Sequence, residues 1–168
     1  MKNVLELLER TAARLPRQTA FADQQCSYDY QTVVNIAESV GSALAANGDR
    51  NCPVAVLMER GAPCLVTLMG VLYSGNFYVV LDPEMPAERV NKILRTLQPA
   101  VLICDEAHKD DPAGLDYDGK VYSAEALAAG QAQPELLQTV RRRMIDTDPA
   151  YAIFTSGSTG NPKGVVVN

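Results

Sequence analysis

Histidine occurs once in these 168 residues, at His108, and cysteine four times, at Cys26, Cys52, Cys64 and Cys104, without a Cys-x-x-Cys spacing. A zinc site needs clustered ligands, so no zinc centre is expected. Long apolar runs are missing too, and none approaches the roughly 20 residues that span a bilayer. Glu6, Glu9 and Arg10 interrupt the N-terminal stretch where a signal peptide would be apolar. The expectation is a soluble, cytoplasmic protein with no membrane partner, whose four thiols stay free in a reducing compartment. A basic excess is also lacking: 15 Lys and Arg stand against 20 Asp and Glu, a formal charge of −5. That balance argues against a nucleic-acid partner. With 47% hydrophobic residues the chain is too apolar for a disordered segment. Its length suits one domain of the usual ~100–200 residues.

The pattern along the chain is that of an α/β fold. Val4, Leu5, Leu8, Ala12 and Leu15 recur at helical spacing, and Pro16 ends the segment. Phe21–Asp23 and Cys26–Tyr28 suggest two short strands turning at Gln24-Gln25. Asp29 or Ser27 is positioned to cap a helix from about Tyr30 to Ala46, which Asn47-Gly48-Asp49 closes. Then comes an alternation of strand at 53–58, helix at 65–73, strand at 77–81, helix from Pro86 to Leu97, and strand at 100–104. Continuous apolar strands alternating with helices predict a mainly parallel sheet, buried on both faces, with right-handed crossovers. Residues 105–119 lapse into an acidic loop. A short strand at 120–122, helices at 124–129 and 135–144, and a strand at 150–154 complete the unit. No internal repeat or linker divides it, so residues 1–168 form one domain.

The stretch Thr155-Ser156-Gly157-Ser158-Thr159-Gly160-Asn161-Pro162-Lys163-Gly164 follows that last strand directly and packs four hydroxyls, three glycines and a lysine into ten residues. Glycines let backbone N–H groups converge on an anion, hydroxyls donate to phosphate oxygens, and lysine adds a mobile charge. The Walker pattern fails because Pro162 precedes Lys163 and Gly164 follows it, and the glycine spacing is wrong for GxGxxG. Val165-Val166-Val167 predicts a strand after the loop. Composition alone leaves a polyphosphate-binding loop and a ligand-free Ser/Gly hairpin equally open.

Tyr151 to Val165 resembles the signature loop of the adenylate-forming (AMP-binding) ligase superfamily. Ser27-Tyr28-Asp29-Tyr30 resembles the first conserved stretch of its adenylation domains. Tyr73 to Pro83, continued by Pro86-Ala87-Glu88-Arg89, resembles the second. Order and intervals agree across nearly the whole chain. Leu81-Asp82-Pro83 with Glu88-Arg89 is more similar to amino-acid-activating members, the adenylation domains of non-ribosomal peptide synthetases and D-alanine–carrier-protein ligases, than to fatty acyl-CoA synthetases. Tyr73 and Val80 depart from that subclass, where lysine and proline are usual.

The resemblance implies the N-terminal part of the large domain of a ligase that joins a carboxylate, in the first instance an amino acid, to ATP with Mg²⁺. Pyrophosphate is released, and the adenylate passes to a phosphopantetheine thiol on a carrier protein. It implies that Thr155, Ser156, Ser158 and Thr159 donate to the β- and γ-phosphates, that Gly157 and Gly160 keep the backbone open, and that Lys163 steadies the leaving pyrophosphate. No metal ligand is assigned. The family's substrate pocket, metal-binding acid and catalytic lysine come later than Asn168, so the expectation is an N-terminal fragment, inactive alone. The alternatives are the same part of an acyl- or aryl-CoA synthetase, or a non-catalytic nucleotide-binding module. Elsewhere the bland readings are favoured. Asp105, Glu106, Asp110 and Asp111 are expected to form a solvated acidic loop, with His108 a functionless surface residue. Arg141-Arg142-Arg143 is expected to be a solvated helix end, and Tyr73, Phe77 and Tyr78 to be core. An exposed edge at Val165–Val167 would invite self-association.

Overall fold

The computed structural model describes residues 3–156 and 162–168. Helix α1 (Val4–Arg14) is capped by Asn3, whose side chain accepts from the Leu5 N–H, and it buries Leu5, Leu8 and Ala12. Strands β1 (Thr19–Ala22) and β2 (Ser27–Asp29) pair antiparallel as a small separate sheet. Asp29 then caps α2 (Tyr30–Ala45), accepting from the Thr32 N–H, and the chain leaves that helix through Gly48 at φ +84°.

The main sheet is laid down by β3 (Pro53–Leu57), α3 (Ala62–Tyr73), β4 (Phe77–Leu81), α4 (Ala87–Leu97), β5 (Val101–Cys104) and β6 (Lys120–Ser123). After α5 (Ala124–Ala128) and α6 (Pro134–Arg143) come β7 (Tyr151–Ser156) and β8 (Pro162–Val167). The spatial order is β6–β5–β3–β4–β7–β8, parallel throughout except for the antiparallel β7–β8 hairpin at one edge. Both faces of β3 and β5 are covered, as their continuous apolar runs require. Val54 and Val56 face α2, α3 and α5, meeting Val40, Leu44, Leu68, Val71 and Leu127. Ala55, Leu57, Val79 and Leu81 face α4 and its Val90, Ile93 and Leu94. A third cluster joins α1, α2, α3 and α6 through Leu5, Val33, Leu72 and Leu137.

Glycine allows α2 and α3 to touch closely. A Cβ added to Gly70 would stand 2.5 Å from the Val40 Cβ, and one added to Gly41 would stand 2.5 Å from the Tyr73 Cβ.

Several local expectations shift. Helix α3 starts at Ala62 rather than Leu65, because Pro63 sits in the first turn, where its missing N–H costs no hydrogen bond. The stretch 105–119 contains two 3₁₀ turns, Glu106–His108 and Asp111–Gly114. His108 is not a free surface residue. Its ring Nδ1 lies 2.6 Å from Asp105, and its side chain is only 17% exposed. Arg141 is not solvated either. It donates to Asn3 Oδ1 at 2.9 Å and Glu9 Oε1 at 2.6 Å, and its guanidinium lies 5.4 Å from the centroid of the Tyr73 ring. Tyr73 and Phe77 are core and Tyr78 half-buried, while Cys64 and Cys104 are buried and all four cysteines are free.

Candidate functional site

In a doubly wound sheet, ligands bind beyond the carboxyl ends of strands at the point where successive connections leave toward opposite faces. Here β3 leads to α3 on one face and β4 to α4 on the other, so the crevice opens between their carboxyl ends. Arg60 follows β3 and Asp82 follows β4, and the two form an ion pair across the crevice. The backbone beside Arg60 is held on both sides. The Glu59 N–H donates to Asp105 Oδ2 at 2.9 Å, and the Ala62 N–H donates to Asp23 Oδ2 at 2.7 Å. Asp23 also accepts from the Gln25 and Cys26 N–H groups. These bonds, with that from Ala62 the largest, pull its pKa down to about 2. A Cβ at Gly61 would meet Asp23 Oδ2 at 2.7 Å, so a side chain there would push on the carboxylate that holds the Ala62 N–H.

The candidate phosphate loop leaves the sheet at the same end. Strand β7 runs beside β4 in parallel, with Tyr78 level with Tyr151 and their rings stacked at 5.7 Å. It extends through Ser156, two residues beyond the expected end. Strand β8 starts at Pro162 rather than Val165. The segment between is therefore shorter than its composition suggests: Thr155 pairs with Lys163, and Ser156 with Pro162. Proline fits here because β8 is the edge strand among the described residues. Thr155 and Lys163 are both exposed. Gly157, Ser158, Thr159 and Gly160 lie outside the described residues, and of Ser156 only the backbone is described. Gly164, which the sequence gives no role, has one: the Phe154 ring lies over it, and a Cβ there would come within 3.0 Å of that ring.

Side chains alternate along a strand, so the register assigns each to a face. The register between β4 and β7 is the Tyr78–Tyr151 pair, and beyond it a cleft lies between residues 78–82 and 151–154. The hairpin sets Thr155 level with Lys163, on the face it shares with Ile153 and Val165. Val80, Ile153 and Val165 are exposed. The sequence signal for Asp82 was that it directly follows a buried parallel strand, and the same holds for the residues after β3. Neither Arg60 nor Asp82 is singled out by the sequence as a site residue.

Three clefts meet at this end. One of about 510 Å³ is lined by Asp23, Glu59, Arg60, Asp105 and Glu125. A second, of about 460 Å³, is lined by Met58, Arg60, Asp82, Met85, Ile153 and Phe154 among others. A third, of about 320 Å³, lies between Arg60, Asp82, Glu84 and His108. The hydrogen bond with Asp105 raises the His108 pKa above its ordinary value, helped by the charges of Asp105, Asp111 and Glu59. Burial pushes the Cys64 thiol up to about 11 and also raises that of Cys104, so neither is a ready nucleophile. Among the described residues no group of three or more His, Cys, Asp or Glu side chains could hold a metal ion, and no helix is long and apolar enough to cross a membrane.

The chain is similar in sequence to several large synthases and synthetases. It is 31% identical to bacitracin synthase 3 of Bacillus licheniformis over 99% of its own length and 2% of that protein. It is 35% identical to pyochelin synthetase PchF of Pseudomonas aeruginosa over 91% of its length and 8% of that protein. It therefore spans only a small part of the curated relatives it matches. Among solved structures it resembles the nonribosomal peptide synthetase FmoA3 bound to alpha-methyl-L-serine-AMP, with a TM-score of 0.78 and 25% identity over 96% of this chain and 18% of that one. The Klebsiella oxytoca NpsA N-terminal subdomain shares the fold, with a TM-score of 0.78 and 20% identity over 99% of this chain and 42% of that one. The α/β architecture and the resemblance of the three motifs agree with these matches. A family model described as AMP-binding enzyme matches residues 8–168, and the chain belongs to that family.

Proposed function

We propose that this chain carries the polyphosphate-binding part of an ATP-dependent ligase that activates a carboxylate, in the first instance an amino acid, as an acyl-adenylate and passes it to a carrier-protein phosphopantetheine thiol. The observation that supports this most is the β7–β8 hairpin. Thr155 and Lys163 form a cross-strand pair at the carboxyl end of a doubly wound sheet and flank the segment richest in Gly and Ser. The amino-acid subclass is supported by the likeness to a nonribosomal peptide synthetase, FmoA3, and by the amino-acyl-AMP named for it.

On this reading Thr155, Ser156, Ser158 and Thr159 donate hydrogen bonds to the β- and γ-phosphates. Gly157 and Gly160 leave the backbone N–H groups open to the same oxygens. Lys163 neutralises charge that builds on the leaving pyrophosphate. Donors fixed in place before reaction stabilise developing charge without reorganising, usually the largest catalytic term. Mg²⁺ supplies charge neutralisation to ATP chemistry of this kind, and none of the described residues is given a role as its ligand.

The test is amino-acid-dependent exchange of pyrophosphate into ATP, measured on the longest protein encoded around this chain. Exchange with one or a few amino acids is expected, with loss of most activity in Lys163→Ala. Exchange driven only by fatty or aryl acids would move the protein to the CoA-synthetase subclass, and no exchange with any acid would refute the ligase reading. The 168-residue chain alone is expected to form no adenylate, and adenylate formation by it would overturn that part.

A further inference from the structure

The Arg60–Asp82 pair lines the cleft that Ile153 and Phe154 also line, directly before Thr155, and has no role in the reading above. Arg60 lines all three clefts at this end of the sheet and is the one arginine or lysine among the described residues that does so. Its other ionisable neighbours there are mostly acids, Glu59, Asp82, Glu84 and Asp105, which would repel a polyphosphate. An anion can approach this wall only if a cation meets it.

We propose that Arg60 is a phosphate-binding side chain parked on Asp82, and that it transfers to the oxygens of a polyphosphate bound at Thr155 and Lys163. This rests on the phosphate-loop reading above. The backbone of Arg60 is fixed by the Glu59–Asp105 and Ala62–Asp23 hydrogen bonds, so the movement is confined to the side chain. That side chain is 82% exposed while Asp82 is 31% exposed, so the guanidinium lies on the solvent side of the pair. An exposed carboxylate–guanidinium pair contributes little in water. A guanidinium on a polyphosphate makes paired, charge-assisted hydrogen bonds to a more highly charged partner. The exchange therefore runs toward phosphate. Asp82 holds the cation in the shared cleft when no phosphate is bound.

The test is calorimetric titration of the 168-residue chain with magnesium-free tripolyphosphate at low ionic strength, using wild type, Arg60→Gln, Asp82→Asn, the double variant and Lys163→Gln. Circular dichroism checks that each variant is folded. Arg60→Gln is expected to weaken binding about tenfold, and Asp82→Asn to tighten it about two- to threefold by releasing the cation. The double variant should match Arg60→Gln. Wild-type affinity in Arg60→Gln overturns the inference. Recovery of wild-type affinity in the double variant also overturns it, since Arg60 would then act only by screening Asp82. If Lys163→Gln weakens binding while Arg60→Gln does not, this inference alone fails. If wild type does not bind, or Lys163→Gln binds as well as wild type, the phosphate-loop reading fails and this inference falls with it.

Discussion

Replacing Gly70 by alanine tests whether the α2–α3 contact sets the packing of the whole covered face. The new methyl would lie 2.5 Å from both Cβ and Cγ1 of Val40 and 3.2 Å from the Ala37 carbonyl oxygen. Carbon atoms in contact normally keep about 3.5–4.0 Å apart, so the helices must separate by roughly 1 Å or rotate. Val40 cannot swing aside, because it is fully buried and the obstructing atom is its Cβ, fixed to the backbone. Overpacking of this kind costs about 1–3 kcal/mol. Alanine recovers up to about 1 kcal/mol over glycine in a helix. The net expectation is a loss of about 1–2 kcal/mol, a fall in melting temperature of about 2–8 °C for a chain of this size. Gly41→Ala makes the reciprocal clash with the Tyr73 Cβ, and the double variant should lose less than the sum because one separation relieves both. Gly114→Ala is the control: it meets nothing within 4 Å and should change stability by less than about 0.5 kcal/mol. Urea unfolding followed by circular dichroism, with unchanged m-values, gives these differences directly. A Gly70→Ala protein as stable as wild type would refute the argument.

His108 is the one histidine, so its ring protons give an isolated NMR signal, expected to titrate above pH 6.5 and to move down in Asp105→Asn. Since the folded-state pKa is raised, this pair's contribution is full below the unfolded value of about 6.5 and disappears as pH rises through the folded one. Asp23 has the opposite sign. Its depressed pKa gives stability that is present above about 3.9 and lost as pH falls through about 2, so Asp23→Asn should flatten the acid limb of an unfolding profile over that window. A limb as steep as wild type would count against the Asp23–Ala62 tie. The exposed edge strand β8, with Val165 and Val166 more than half exposed, should give concentration-dependent association in sedimentation velocity, and Val166→Lys should suppress it. A single monomeric boundary for wild type at high concentration would refute this.

Strands β3, β4 and β5 were legible because each is a short apolar run bounded by Pro, Gly or Asp, and burial on both faces demands nothing subtler. The helix cap at Asp29 was legible for the same local reason: its side chain bonds the N–H three residues on. What the sequence hid is non-local. Thr155, Ser156, Pro162 and Lys163 have the composition of a loop, and only the cross-strand ladder draws them into strands. Arg141 sits in a run of three arginines, yet it is set apart by Asn3 and Glu9, more than 130 residues away. Arg60 and Asp82 are 22 residues apart and meet only because their strands are parallel neighbours.

The strand order carries a consequence for the sequence of assembly. β3, β4 and β5 pair through short connections, whereas β7 reaches β4 across the 72 residues that lie between Tyr78 and Tyr151. Closing a long loop costs chain entropy before any contact repays it. The β7–β8 hairpin should therefore join last, onto a nucleus already formed by β3–β4–β5. The lock for that late step is Asp148, which holds Arg50 at 2.7 Å and Asn51 at 3.1 Å just before β7 begins. The wall that carries Thr155 and Lys163 is thus expected to exchange its amide hydrogens ahead of the central strands, opening as a unit while the rest of the sheet stays closed.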